Sequence, residues 1–211
     1  MAAVNEPYLL AIESAIAGGS IALFKDADFL CGASGDSSVS RAEDLLPRIV
    51  ELLADAEITV GELNRVAVSR GPGSYTGLRI GIATVMGLCR GLEIEYVGVP
   101  VFDAIIETYG DPSSIIALPM GRTDICVAAG PAEIQVTAID GLKTMIAGSP
   151  DTRILAHSDL VVQLIDIRPE MVDIGTNLAR FIGTAAFDRP RTATLDPIYI
   201  QNPRFGNAPT G

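Results

Sequence analysis

Arg70-Gly71-Pro72-Gly73-Ser74-Tyr75-Thr76-Gly77-Leu78-Arg79-Ile80-Gly81-Ile82 follows Arg65–Ser69, a run apolar enough for a buried strand. Strand, glycine loop and helix in succession are the ingredients of a phosphate cradle, because backbone N–H groups at a helix start point at an anion. The spacing decides. A P-loop encloses four residues between its glycines and continues with Lys-Ser/Thr; here Gly71 and Gly77 enclose five, and Leu78-Arg79 follows. A dinucleotide fingerprint requires glycine where Thr76 stands. Both motifs fail. What remains is a structural strand-to-helix turn, or a looser phosphate contact through Gly73, Ser74, Thr76 and Gly77.

The helix predicted over Leu78–Arg90, stopped near Gly91, carries a second signal. Gly77, Gly81, Thr84, Gly87 and Gly91 follow steps of four, three, three and four, which predicts that they line one helix face. A glycine inside a helix costs about 1 kcal/mol relative to alanine, so Gly81 and Gly87 together require an offset of roughly 2 kcal/mol. Close approach of a second backbone supplies such an offset. That backbone belongs either to this chain's own sheet or first helix, or to a helix of another subunit; the spacing alone leaves both open.

Working outward, Tyr8–Glu13 and Ser20–Lys25 read as strands joined by the small-residue loop Ser14–Gly19, and Phe29–Ser34 completes a meander. A helix is predicted over 41–56. Ser40 and Glu43 have capping-box spacing, and Ala42, Leu45, Leu46, Ile49, Leu52, Leu53 and Ala56 recur with helical period. Pro47 is expected to kink it, having no N–H to donate to Glu43. Glu95–Val99 reads as a strand and Val101–Tyr109 as a helix. Asp111-Pro112 then resets the chain. Strands at Ile115–Leu118, Ile125–Ala129 and Glu133–Ala138 precede a helix near Leu142–Ala147, a strand at Arg153–Ala156 and a helix near Met171–Phe187. A strand-rich unit followed by helices thus occurs twice, so an α/β protein with mixed sheets flanked by helices is expected. The division predicted is 1–109, 110–205 and a loose tail, 206–211.

The composition sets limits on function. Of 211 residues, 48% are apolar and 5% aromatic, with no tryptophan, so the core must be aliphatic. The net charge of −11 leaves few cations for phosphate neutralisation, so tight nucleic-acid binding by this chain alone is not expected. No apolar run approaches the roughly 20 residues of a membrane-spanning helix. The opening Met1–Pro7 lacks the basic flank of a secretory signal, and a cytoplasmic location without membrane contact is expected. Cys31, Cys89 and Cys126 form no Cys-x-x-Cys pair and read as small buried residues.

Leu9-Leu10-Ala11-Ile12-Glu13-Ser14, Glu43-Asp44-Leu45-Leu46-Pro47, the run Arg70–Gly81 and Val97-Gly98-Val99 occur in the order typical of the TsaB (YeaZ) family, which the chain resembles over most of residues 9–103. Asp196-Pro197-Ile198-Tyr199-Ile200 is a weaker echo. The resemblance implies a two-lobed actin-like ATPase (ASKHA, ribonuclease H-like) fold. It further implies a role in making threonylcarbamoyladenosine beside the tRNA anticodon, as a subunit that is not itself the enzyme. In that family the paralogue TsaD holds the metal and performs the transfer, the ATPase TsaE joins the pair, and TsaB alone forms homodimers through the same helices. tRNA is reached only through the complex, and ATP or ADP is implied at the complex interface rather than in this chain. The family interface maps onto the helices at 41–56 and 78–91, which nominates Leu45, Leu46, Ile49, Leu53, Gly77, Gly81, Thr84, Gly87 and Gly91. Candidate phosphate contacts are Glu13, Ser14, Gly73, Ser74, Thr76 and Gly77.

The second lobe departs from the family. Leu118-Pro119-Met120-Gly121-Arg122-Thr123-Asp124 stands where relatives show Asp-Ala-Arg before Gly-Glu, Glu13 replaces the usual first-strand Asp, and Arg41 stands where relatives carry histidine. Three rival chemistries compete with this reading. A TsaD-like metal site needs two histidines four apart, and the sequence has one, His157. A glycoprotease-type peptidase would depend on that same imidazole and has no Gly-x-Ser-x-Gly elbow. A weak or inactive actin-like nucleotide-binding protein is the remaining alternative, with Asp173-Ile174-Gly175-Thr176 a faint adenosine-loop candidate.

Overall fold

The computed structural model describes residues 7–36, 41–121, 123–130 and 134–200. Three strands open the chain: β1 (Tyr8–Glu13), β2 (Ser20–Lys25) and β3 (Asp28–Ser34). They form an antiparallel meander in which Leu10 stands opposite Leu23, and Ala22 opposite Gly32. Helix α1 (Arg41–Asp55) runs on through the exposed Pro47. Ser40, half of the expected cap, lies outside the described residues. Next come β4 (Leu63–Gly71), α2 (Tyr75–Leu92), β5 (Glu95–Pro100) and α3 (Val101–Tyr109). β4 joins β1 in parallel and β5 joins β4, giving the order β3-β2-β1-β4-β5.

The pattern then repeats. β6 (Ile115–Met120), β7 (Asp124–Ala129) and β8 (Gln135–Thr137) form a second meander. After α4 (Ile139–Ala147), β9 (Ile154–Ala156) pairs in parallel with β6; after α5 (Ser158–Leu164), β10 (Val172–Asp173) pairs in parallel with β9. The second sheet reads β8-β7-β6-β9-β10 from its other edge, the same topology as the first. The duplication legible in element order is therefore present in the strand pairing.

Two elements differ from expectation. The helix read over Met171–Phe187 is instead β10, a turn, and α6 (Ala179–Ala186). The Asp173 carboxylate accepts from Gly175 N at 2.8 Å and from Ser158 Oγ at 2.7 Å, while Gly175 takes φ +81, so the chain turns where a helix would continue. Helix α5 was missed because seven residues show too little period. Its sign was local: His157 Nδ1 accepts from Asp159 N at 3.2 Å and caps it.

The strand sets separate near residue 110, but the packing does not. After the second sheet the chain returns to cover the first. Ala179 N donates to Ser20 Oγ at 2.9 Å, and Asn177 Nδ2 donates to the Ile21 carbonyl at 3.1 Å. The Arg65 guanidinium donates to the carbonyls of Ala186 and Arg189 at 3.0 and 2.6 Å. Farther on, Arg70 Nε donates to the Asp196 carbonyl and Ile198 N to the Arg70 carbonyl.

Strand alternation divides the core. Leu10 and Ile12 pack with Leu45, Ile49, Leu52 and Leu53 of α1 and Val85 and Cys89 of α2. Leu9 and Ala11 face the other way, toward Phe102 of α3 and Phe181 and Ile182 of α6, in a cluster that continues to Ile116 and Leu118 of the second sheet. Each buried α1 side chain stabilises by roughly 1.5–3 kcal/mol, several times any propensity difference, so packing holds α1 in place. Cys89 and Cys126 are buried, which pushes their thiols up to about 11 and about 12. No helix among the described residues is long and apolar enough to cross a membrane.

Candidate partner-docking groove

The six candidate phosphate residues converge at the junction of β1 and α2, where the side chains of Glu13, Ser14 and Ser74 are engaged by backbone groups of the same junction. The Glu13 carboxylate, almost wholly buried, accepts N–H from Ala15 at 2.7 Å and from Ile16 at 3.1 Å. Ser14 Oγ donates to the Gly77 carbonyl at 2.8 Å, and Ser74 N donates to the Ala15 carbonyl at 2.9 Å. Ser74 caps α2, its Oγ accepting from Gly77 N at 3.4 Å, so the helix starts at Tyr75 rather than at the expected Leu78. A Cβ on Gly73 would lie 2.6 Å from that of Ala15. The residual cavity beside Glu13 and Ser14 is about 10 Å³, no more than a single water requires. This junction fastens a loop to a helix, and Thr76 stands exposed on its outer side.

The glycine stripe divides in two. A Cβ on Gly77 would lie 2.2 Å from the Ser14 carbonyl, and one on Gly81 2.2 Å from Ser14 Oγ. Around Gly87 and Gly91 no described atom beyond the neighbouring backbone of α2 itself lies within 4 Å of such a Cβ. Rotation and length together explain this: Gly87 stands about 120° from Gly81 when viewed down the axis, while Gly91, only about 40° from Gly77, lies about 21 Å farther along the helix, beyond the Ser14–Ala15 loop. Steps of four and three concealed that drift. Gly77 and Gly81 serve the chain's own packing, which corrects their nomination as partner contacts.

The same correction applies to α1. Leu45, Ile49 and Leu53 are buried in the chain's own core, whereas Leu46 is 50% exposed. Leu46, Val60, Ala83, Thr84, Gly87, Leu88, Gly91 and Leu92 line an open groove of about 610 Å³ between α1 and α2. Val50 and Met86 extend the apolar surface, at 66% and 52% exposed. Four nominated residues therefore meet in one place: Leu46, Thr84, Gly87 and Gly91. Val50, Val60, Ala83, Met86, Leu88 and Leu92 were not read from the sequence. The i, i+4 spacing of Leu46–Val50 and Ala83–Gly87–Gly91 was the available sign.

His157 sits apart from this groove. It is buried, and burial lowers its pKa below the ordinary 6.5, against the raising influence of Asp159 and Asp173. Ser158 donates directly to Asp173, with no imidazole between them, so the cluster lacks the relay of a catalytic triad. Among the described residues no group of three His, Cys, Asp or Glu side chains is placed to hold a metal.

Residues 37–148, over half of the chain, match the family model described as TsaD: tRNA N6-adenosine threonylcarbamoyltransferase. An uncharacterised protein of Mycobacterium leprae (strain TN) is 37% identical over 122 residues, covering 53% of this chain and 33% of that protein. The tRNA threonylcarbamoyladenosine biosynthesis protein TsaB of Escherichia coli (strain K12) is 35% identical over 96 residues, covering 43% of this chain and 39% of that protein. The matches span between 33% and 57% of the length of the first such relatives. YeaZ from Pseudomonas aeruginosa superposes with a TM-score of 0.63 at 17% identity, over 92% of this chain and 100% of that one. The ethanolamine utilization protein EutJ from Carboxydothermus hydrogenoformans gives 0.58 at 13%, over 86% and 90%. These superpositions, with the two matching sheets, show the two-lobed actin-like fold.

Proposed function

The chain belongs to the family described as TsaD, tRNA N6-adenosine threonylcarbamoyltransferase, as a TsaB-like member, and from that premise we propose that it is a non-catalytic subunit of a threonylcarbamoyl-transferring complex. It supports a TsaD-like paralogue, which carries the group to the adenosine beside the tRNA anticodon. The observation that carries this reading is the groove between α1 and α2. Its floor is glycine, its walls are exposed aliphatic side chains, and one of its glycines, Gly87, lies in the helix interior at a cost of about 1 kcal/mol. Among the described residues nothing packs against Gly87 to recover that cost. A partner helix laid into the groove would.

Catalysis resides in the paralogue, since a site built on two histidines needs one more than this sequence has. A TsaE-like ATPase joins the pair, tRNA is reached only through the complex, and the chain forms homodimers when alone. ATP or ADP is held at the complex interface; at the Glu13–Gly77 junction the Glu13 carboxylate and the Ser14 hydroxyl are already engaged. The compartment is the cytoplasm, where tRNA is modified.

Reconstitution tests the reading. The paralogue, a threonylcarbamoyl-adenylate synthase, the TsaE-like ATPase and tRNA are combined with and without this chain. Modified adenosine should form only when the chain is present. Equal yield without it would refute the supporting role, and cleavage of a peptide or turnover of ATP by the chain alone would return one of the rival chemistries.

A further inference from the structure

A second cleft, of about 390 Å³, opens where the C-terminal end of α2 meets the start of β5. That volume falls within the roughly 300–1,000 Å³ of small-molecule sites. Met86, Cys89, Ile94 and Tyr96 line it, and Thr192 of the returning segment closes one side. Hydrogen bonds fix these walls. Ile94 N donates to the Cys89 carbonyl at 3.1 Å, Cys89 Sγ to the Glu95 carbonyl at 3.7 Å, and Thr192 N to the Tyr96 carbonyl at 3.2 Å. Tyr96 Oη donates to the Ala193 carbonyl at 3.4 Å. No residue lines both this cleft and the groove between α1 and α2, so the two are separate features.

Four charged side chains complete the lining: Arg90 and Arg191, Glu93 and Glu95. All four are exposed, and none makes an ion pair or a side-chain hydrogen bond among the described residues. Both signs therefore face one cleft without closing on each other. A ligand bearing only negative charge would gain the guanidiniums but meet both carboxylates, and a purely cationic one would meet the reverse. A molecule that carries both signs answers both pairs. The carbonyl end of α2, with its partial negative charge, adds to Glu93 and Glu95 in favouring an ammonium on that side. A planar guanidinium matches a carboxylate through parallel N–H bonds.

We propose that this cleft binds a small zwitterion of the amino-acid class. Its ammonium lies toward Glu93 and Glu95, its carboxylate toward Arg90 and Arg191, and its apolar body against Met86, Ile94 and the Tyr96 ring.

The test titrates the full chain with L-phenylalanine and with two molecules of similar shape that each lack one charge. Hydrocinnamate lacks the ammonium, and phenethylamine lacks the carboxylate. Backbone amide shifts in NMR spectra report both affinity and place. L-Phenylalanine should move the amides of Glu93, Glu95, Tyr96 and Thr192 and approach saturation by about 10 mM, the affinity range of so small a ligand. Each analogue should bind about tenfold more weakly, since it forfeits one set of charge-assisted hydrogen bonds. Arg90→Gln/Arg191→Gln should erase the preference for L-phenylalanine over phenethylamine, and Glu93→Gln/Glu95→Gln the preference over hydrocinnamate. The four side chains are exposed and unpaired, so amide spectra away from the cleft should match the wild type and show that both variants fold. Equal binding of hydrocinnamate by the wild type makes the cleft a plain anion site, and equal binding of phenethylamine a plain cation site; either overturns the proposal. Shifts confined to residues outside the cleft, or none over that range, overturn it as well and leave four solvated surface charges.

Discussion

Ser14 Oγ donates to the carbonyl of Gly77 across 2.8 Å, and a Cβ on Gly77 would stand 2.2 Å from the carbonyl oxygen of Ser14. Backbone meets backbone there, at the first turn of α2. Three turns later the same helix presents Gly87 and Gly91 to open space. One sequence feature, a run of spaced glycines, therefore answers to two demands, and each can be probed separately.

Gly77→Ala should destabilise the chain by at least about 2 kcal/mol, because the atom it meets is main chain and cannot rotate aside. Gly87→Ala should instead stabilise it by up to about 1 kcal/mol, through helix propensity with no clash. Urea unfolding of both variants checks the pair. Equal midpoints would contradict the division of the stripe.

Glu13→Ala strips the acceptor from the N–H groups of Ala15 and Ile16 in a buried loop. Stability should fall by about 2–4 kcal/mol, with Glu13→Gln retaining part of it through its remaining carbonyl. Thermal unfolding measures this. If Glu13→Ala melted with the wild type, the capping role would be wrong.

Burial holds the folded-state pKa of His157 below 6.5, so between that lowered value and 6.5 the unfolded chain binds more protons than the folded one. Stability should thus decline as pH falls from about 7 toward about 5.5. His157→Gln should flatten that portion of the curve, since it cannot take up the proton. An unchanged slope in the variant would place the decline elsewhere.

Much of the fold was legible because short-range rules and packing agreed. Val101–Tyr109 was read with the bounds the structure gives, since a strand end, helical period and Gly110 coincide there. The stretch around Asp173–Gly175 misled, because its apolar residues suit helix and strand alike and only a side-chain turn decides between them. At the groove, Gly87, Gly91, Thr84 and Leu46 were found from spacing and family resemblance. Leu45, Ile49, Leu53, Gly77 and Gly81 share that spacing but face inward, a distinction that depends on where the sheet lies. Sequence period locates a helix face; tertiary placement decides which side of it water sees.

Binding of the TsaD-like paralogue to Gly87→Leu, titrated by calorimetry beside wild type, tests the docking role most directly. Leucine there fills the groove floor without touching the chain's own core. Binding should disappear while the isolated variant melts at or above the wild-type temperature. Wild-type affinity in that variant would contradict the account.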